Sequence, residues 1–325
     1  MRIAACLIVR NEAHDLAEWI AYHALSGIDA FLVYDNASTD GTADTLTAAA
    51  ALHDVRITPW RTAAPAAQLE AYRHALRVHR REFDWIAVID SDEFIVVHQP
   101  GSLRKLCTAT TAAAIGINWA MFGSNGHASR PRGLVTESFT RRAEASFAPN
   151  RHVKMLVRPG AVTGCLNPHA FAVQGPVASP AGQPLTWHID DGGCPVPGLS
   201  ATPPEWSVAQ LNHYFTRSRA HWVLKTARGY RNPDSMDKLG HFDHYDRNEA
   251  EDRSALWVLA ETRAGRNAIL AQRTSATLAQ THARLVNNNA AVTRNTQCSP
   301  SVAAMAPPDS GPNDCPRNIA DAVMP

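Results

Sequence analysis

Two carboxylates set two residues apart, Asp90 and Asp92, close an apolar run in Asp84-Trp85-Ile86-Ala87-Val88-Ile89-Asp90-Ser91-Asp92-Glu93-Phe94. If the strand breaks at Ser91, both can face one divalent cation. Hard Mg2+ or Mn2+ takes few carboxylates together with phosphate oxygens of a ligand. An isolated Asp-x-Asp also recurs by chance in turns, so its placement decides the reading. A second cluster, Asp35-Asn36-Ala37-Ser38-Thr39-Asp40, follows another apolar run. Carboxylate, amide and hydroxyl groups there suit ribose hydroxyls and a base edge. Ser38, Thr39 and Asp40 also serve as helix caps, but capping does not account for Asp35-Asn36. A third cluster, Arg10-Asn11-Glu12, follows the first apolar run of the chain.

These clusters need elements to position them. Apolar runs at 3–9, 30–34, 85–89 and 114–119 are continuous rather than alternating, as in parallel strands covered on both faces. Helical spacing lies between the first three, in Leu16, Trp19, Ile20 and His23, then Leu69, Tyr72, Arg73 and Leu76. The pattern predicts a doubly wound α/β unit, whose ligands sit outside the carboxyl ends of the strands, where all three clusters fall. Beyond residue 120 the spacing predicts a loop at 123–132, a helix at 134–142, strands at 153–157 and 170–173, and a Pro/Gly-rich excursion over 175–204. Helical spacing returns at 219–230 and from 249 to about 285. The chain therefore divides into 1–120, 121–286 and a segment 287–325. That last segment, rich in Asn, Ser, Thr, Pro and Ala, is expected to be a disordered tail.

Composition bounds the class. With 325 residues, 45% hydrophobic and 19% charged, the chain is neither fibrous nor disordered throughout. A net charge of +1 gives no global field for nucleic acid, so no nucleic-acid partner is expected. No apolar run approaches the roughly 20 residues that span a bilayer, and Met1 to Val9 is too short, and too soon followed by Asn11, Glu12 and Asp15, for a secretory signal. The expected location is cytoplasmic, with peripheral membrane association left open. Six cysteines without a Cys-x-x-Cys pair read as buried thiols.

The ordered set Val9-Arg10-Asn11-Glu12, Tyr34-Asp35-Asn36-Ala37-Ser38-Thr39-Asp40-Gly41-Thr42 and Ile89-Asp90-Ser91-Asp92-Glu93-Phe94 resembles the family 2-type nucleotide-sugar glycosyltransferases of GT-A fold. It lies closest to the glycosyltransferase family 92 branch. Further matches lie in Phe122 to His127, Lys154-Met155, Asn167 to Phe171, Asn212 to Ser218 and Asp246 to Glu249, so the resemblance spans roughly 1–265. It implies a doubly wound mixed sheet with helices on both faces, of the nucleotide-diphospho-sugar transferase type. Residues 1–120 would be its nucleotide-sugar-binding half, and 121–286 the acceptor-side half and C-terminal helices of one catalytic domain.

The resemblance further implies that Arg10, Asn11, Glu12, Asp35 and Asn36 hold the nucleoside, and that Asp90, Ser91 and Asp92 meet metal and diphosphate. Arg10 stands where the family commonly has Lys, which keeps the charge but not the shape. A late histidine often completes the metal site in such enzymes; His213 is favoured over His169. Arg217 and Lys225 are candidates for the leaving diphosphate. The expected activity is metal-dependent transfer of a hexose-like sugar from a nucleoside-diphosphate sugar to a glycan or other hydroxyl acceptor, with inversion, as in polysaccharide biosynthesis. The base is expected at Glu137, with Asp190 and Glu249 behind it; Glu137 could equally pair with Arg141. Two rival readings are a nucleotidyltransferase, whose phosphate loop is missing after Val9, and a nucleotide-sugar-binding protein without turnover.

Overall fold

The continuous apolar strands are explained by their neighbours. In a computed structural model, which describes residues 1–62, 66–98, 102–227 and 238–297, alternate residues of each central strand enter two different cores. Strand β1 (Ile3–Val9) sends Ile3, Ala5, Leu7 and Val9 into one core and Ala4 and Cys6 into the other. Strands β2 (Ala30–Asp35) and β4 (Trp85–Val88) divide in the same way. With both faces covered, neither set of positions can be polar. Full burial of one such large apolar side chain contributes about 1.5–3 kcal/mol.

The first core is closed by α1 (Leu16–Ser26) and α2 (Thr42–Ala50), with Trp19, Ile20 and Leu46 at its centre. Strand β3 (Asp54–Pro59) lies at one edge of the sheet, and α3 (Ala67–Val78) covers the second core with Tyr72 and Leu76. Further on come β5 (Glu93–Val97), α4 (Leu103–Thr108), β6 (Ala114–Met121), the single turn α5 (Val135–Ser138), α6 (Arg219–Ala227), α7 (Lys238–Tyr245) and α8 (Leu259–Gln297). Helix α8 packs on α1 where Gly265 meets Ala21; a Cβ at Gly265 would come within 2.9 Å of the Ala21 Cβ.

Across the main sheet the strands run β3, β2, β1, β4, Val153–Val157, β6, Ala209–His213, β5. Strands β1 to β4 pair in parallel. Val153–Val157 runs antiparallel to both β4 and β6, and β5 runs antiparallel to Ala209–His213. One edge of the sheet thus gathers the carboxyl ends of the parallel strands and the amino ends of these two reversed ones. This is the doubly wound mixed sheet with helices on both faces that the sequence predicts.

Several elements differ from expectation. The helix expected over 134–142 is one turn, because Arg141 and Arg142 leave it to pair as a strand with Ala250 and Glu251. The 175–204 excursion contains a hairpin of Trp187–Ile189 with Pro195–Ser200. Of the segment expected as a tail, 287–297 continues α8, and 298–325 lies outside the described residues. Residues 1–277 form one compact unit, and the described residues from 278 onward belong to a second. Cys6, Cys107 and Cys165 are buried, whereas Cys194 is exposed. Among the described residues no helix is long and apolar enough to cross a membrane.

Candidate active site

The Asp90-to-Glu93 turn is fixed from below. The Glu93 N–H donates to the Asp90 carbonyl at 3.1 Å, and the Asp90 N–H donates to Glu93 Oε2 at 2.8 Å. Trp19 on α1 reaches up and donates its Nε1–H to the carbonyls of Asp90 and Glu93, at 3.1 and 2.8 Å. The turn is therefore held by its own hydrogen bonds and by one buried indole.

The two carboxylates of the motif face different partners. Asp90 Oδ1 accepts from Gln68 Nε2 (2.9 Å) and the Tyr72 hydroxyl (3.0 Å), both on α3. Its Oδ2 accepts from the buried Lys154 ammonium at 2.8 Å. Asp92 Oδ2 accepts from Lys225 Nζ at 2.8 Å, while its Oδ1 stands 3.6 Å from His213 Nε2. Lys154 is the second residue of the reversed strand and His213 closes the last parallel one, so the strand directions deliver both to this edge.

Charge follows from these contacts. Burial works against ionisation of Asp90, but the Lys154 ammonium outweighs it and holds the carboxyl below its usual range. Desolvation likewise opposes ionisation of the half-buried Asp92, yet Lys225 and His213 hold it well below the usual value. Glu93 is the exception. Fully buried, its carboxyl is pushed up to about 7 by desolvation, against the pull of Lys154 and with the push of Asp90. Its Oε1 accepts from Trp119 Nε1 at 2.7 Å. The Trp119 ring in turn packs on His152, His169 and His213, at centroid distances of 4.8, 5.1 and 4.3 Å.

The first and second clusters are knitted together. Ser38 Oγ accepts from the Asn11 N–H, Thr42 Oγ1 from the Glu12 N–H, and Asp40 Oδ2 from the Ala13 N–H, at 3.0, 2.8 and 3.1 Å. Thr39 N donates to Asn11 Oδ1 at 2.7 Å. Ser38 and Thr39 thus tie down the loop after β1 rather than capping α2, whose N-cap is Gly41 at φ 91°. Asp35 Oδ1 accepts from the Ser38 N–H, and Asn36 follows it at the strand end. Arg10, Asn11 and Glu12 line a cleft of about 490 Å³ with Asp15, Asp40 and Leu224.

The remaining expected residues divide. Lys225 lies on Asp92 and 4.0 Å from the Phe215 ring. Arg217 is buried: it pairs with Asp15, lies 4.0 Å from Glu12 and donates to the Ser91 carbonyl at 3.3 Å. It braces the turn from behind. His169 holds Nδ1 on the Val153 carbonyl at 3.1 Å, and burial, with Lys154 beside it, lowers its pKa to about 3. Glu137 pairs with Arg263 at 2.8 Å, not with Arg141, and its other oxygen accepts from the Leu134 N–H. Asp190 accepts from the Gly192 and Cys194 N–H groups, and Glu249 pairs with Arg247. None of the three carboxylates contacts Asp92 or His213 among the described residues.

Sequence reasoning missed Gln68, Trp19, Trp119 as a ligand of Glu93, and the role of Lys154. One local signal existed: Gln68 and Tyr72 sit at i and i+4 on α3 and bond to each other at 2.8 Å.

Whether a divalent cation fits rests on donors. Among the described residues no three His, Cys, Asp or Glu side chains are grouped to hold a metal by themselves. Asp92 and His213 converge as a pair, and His213 Nδ1 is buried without a hydrogen-bond partner. A carboxylate and an imidazole, with diphosphate oxygens completing the shell, suit Mn2+ or Mg2+.

Comparison with known proteins places the chain among relatives. The model of glycosyltransferase family 92 matches residues 3–186. A glycosyltransferase family 92 protein of Oryza sativa subsp. japonica is 32% identical over 173 residues, which cover 50% of this chain and 28% of that protein. One from Arabidopsis thaliana is 26% identical over 179 residues, covering 50% and 30%. The matched region thus spans less than a third of these relatives' lengths. Among solved structures, S. aureus TarS 1–349 in complex with UDP aligns with a TM-score of 0.33 at 16% identity, over 49% of this chain and 47% of that one. Glucosyl-3-phosphoglycerate synthase from Mycobacterium tuberculosis in complex with Mn2+ and UDP-glucose aligns at 0.28 and 23% identity, over 36% and 43%. Likeness this slight adds no weight to the fold or to the site.

Proposed function

Because the chain belongs to glycosyltransferase family 92, we propose that its sheet edge transfers a sugar from a nucleoside-diphosphate donor to an acceptor hydroxyl, with metal and with inversion at the anomeric carbon. The observation that carries the reading is the Asp92–His213 pair, facing each other at 3.6 Å. Asp92 and His213 would hold the cation. Asp90, whose oxygens accept from Gln68, Tyr72 and Lys154, would anchor the turn beside them. On this reading the ligands from the expected set of Asp90, Asp92 and His213 would be Asp92 and His213.

The protein's own groups supply the rest. The loop at Arg10, Asn11 and Glu12, with Asp35 and Asn36 beside it, receives the nucleoside. When bound, the cation offsets negative charge growing on the departing diphosphate. Lys225 adds a second positive charge beside it, positioned by Asp92 and by the Phe215 face. Arg217 and Trp19 keep the turn in place, so donor atoms meet preset geometry. The acceptor proton is assigned to none of Glu137, Asp190 or Glu249, whose carboxylates are engaged locally.

The test is donor hydrolysis or transfer with a panel of nucleotide sugars and Mn2+. Asp92→Asn and His213→Gln should each lower the metal-supported rate at least a hundredfold while the urea midpoint stays near wild type. Donor binding without turnover in the wild type would favour the binding-protein reading. Retention of most activity in Asp92→Asn would defeat the metal assignment.

A further inference from the structure

Beside the cleft lies a second cavity of about 290 Å³, walled by the start of α1, the loop after β6, the start of α6 and α8. Four guanidinium groups from three parts of the chain line it: Arg130 and Arg132 in one loop, Arg217 and Arg266. Their carboxylate partners do not balance them. Asp15 takes both Arg130 and Arg217, and Arg217 also lies 4.0 Å from Glu12. Glu18 instead accepts from the Val135 N–H, the Thr136 N–H and the Thr136 hydroxyl, at 2.6, 3.0 and 2.9 Å. Desolvation also pushes its carboxyl above the usual range. Arg132 and Arg266 make no hydrogen bond or ion pair among the described residues.

Two unpaired cations beside two that share one carboxylate leave an excess of positive charge, which is unfavourable unless a counter-charge enters, and the planar guanidinium fork matches carboxylate and phosphate oxygens. We propose that this cavity is an oxyanion site, taking the phosphate or carboxylate group of a small ligand between Arg132 and Arg266, with Arg217 and Arg130 as its positively charged back wall. The cavity shares His14, Asp15, Arg130 and His221 with the neighbouring cleft, so a bound ligand can extend toward it. It does not include Asp35, Asp90 or Asp92, the groups on which the donor reading rests. Arg217 links the two places through the Ser91 carbonyl.

A phosphate group could arrive on a separate ligand or as the donor's own diphosphate, and the experiment separates the two. Inorganic phosphate is titrated into the full chain at constant ionic strength, read by calorimetry and by melting temperature, with KCl as control. UDP with Mn2+ is titrated in parallel. In the Arg132→Gln/Arg266→Gln protein, phosphate affinity should fall at least tenfold while UDP–Mn2+ affinity stays within about threefold. Asp92→Asn should show the reverse, which keeps this site distinct from the transferase reading. Single Arg132→Gln, at an exposed loop position, should lose phosphate affinity by severalfold and guards against misfolding of the double variant. Equal phosphate affinity in wild type and double variant, or equal stabilisation by KCl, would overturn the proposal. Parallel loss of phosphate and UDP binding in the double variant would also overturn it, by giving the cavity to the donor.

Discussion

His23 offers a quantitative check on how tightly the site is underpinned. It lies fully buried on α1, between Trp19 and Phe94. The Ile95 backbone N–H can only donate, so His23 Nε2, 3.2 Å away, must accept. The ring proton then belongs on Nδ1, which donates to the Trp19 carbonyl at 2.9 Å. A second proton would set one N–H against another, and burial accordingly lowers the pKa to about 3. In the unfolded chain a histidine titrates near 6.5. Between those values the unfolded state binds the proton and the folded state does not. Stability is therefore full above about pH 6.5 and is lost as pH falls toward the folded value. At pH 5 the loss from this one ring is about 2 kcal/mol, at about 1.4 kcal/mol per pH unit below 6.5. His23→Gln cannot titrate. Urea unfolding of both proteins at pH 7 and pH 5 should show the wild type losing about 2 kcal/mol more than the variant, while the variant starts about 1–3 kcal/mol lower at pH 7. His169 and His221, held by burial at about 3 and about 2, weaken both proteins alike and cancel in the difference. Equal acid losses in the two proteins would refute the buried neutral ring.

Three further changes probe the surrounding contacts. Lys154→Met leaves Asp90 and buried Glu93 without their cation; it should cost about 3 kcal/mol, the low end for a broken buried pair because Asp90 keeps some solvent contact. A melting temperature within a degree or two of wild type would contradict this. Glu137→Gln removes one partner of a half-exposed ion pair with Arg263, so kcat should stay within about threefold and stability within about 1 kcal/mol; a hundredfold fall in kcat at unchanged donor affinity would restore it as the base. Gly123→Ala would drive a Cβ to 2.2 Å from the Arg247 carbonyl oxygen, and the rearrangement should cost about 1–3 kcal/mol or more. A variant as stable as wild type would mean that the Arg247–Asn248 segment yields freely.

The parts of the fold legible in the sequence are those whose burial is two-sided. Strands β1, β2, β4 and β6 announce themselves because nearly all of their residues are buried, on both faces. Strand β3, Asp-Val-Arg-Ile-Thr-Pro, lies at an edge with half-exposed side chains and shows no continuous apolar run. Ala209–His213 was hidden for another reason. Its Gln210 and Asn212 are buried yet polar, satisfied by a 2.6 Å bond between them and by bonds to Asp252 and Tyr214. Such a strand has no hydropathy signature until its partners are known. At the site, Asp90 and Asp92 could be found by spacing, but their division of labour could not. It depends on Lys154, Tyr72 and His213, which come from three elements far apart in sequence. Glu137 reads as a free carboxylate locally, and only the return of α8 supplies Arg263.

The strand order also governs how this chain must be assembled. Val153–Val157 is laid between β4 and β6, and Ala209–His213 between β6 and β5. A nascent chain that has reached residue 120 therefore holds β4 and β6 with no ladder between them, and β5 with no partner at all. The central ladder waits for some thirty further residues to leave the ribosome, and the edge for about ninety. During that interval Trp85, Ile117 and Phe94 lack their final cover, and Asp90 has no Lys154. Long-range pairings of this kind fold slowly and leave apolar strand edges open to other chains. The same insertion that brings Lys154 and His213 to the carboxylates makes this edge of the sheet one of the last parts of the molecule to exist. Slowing synthesis between residues 120 and 215 should lower the soluble yield more than slowing it elsewhere.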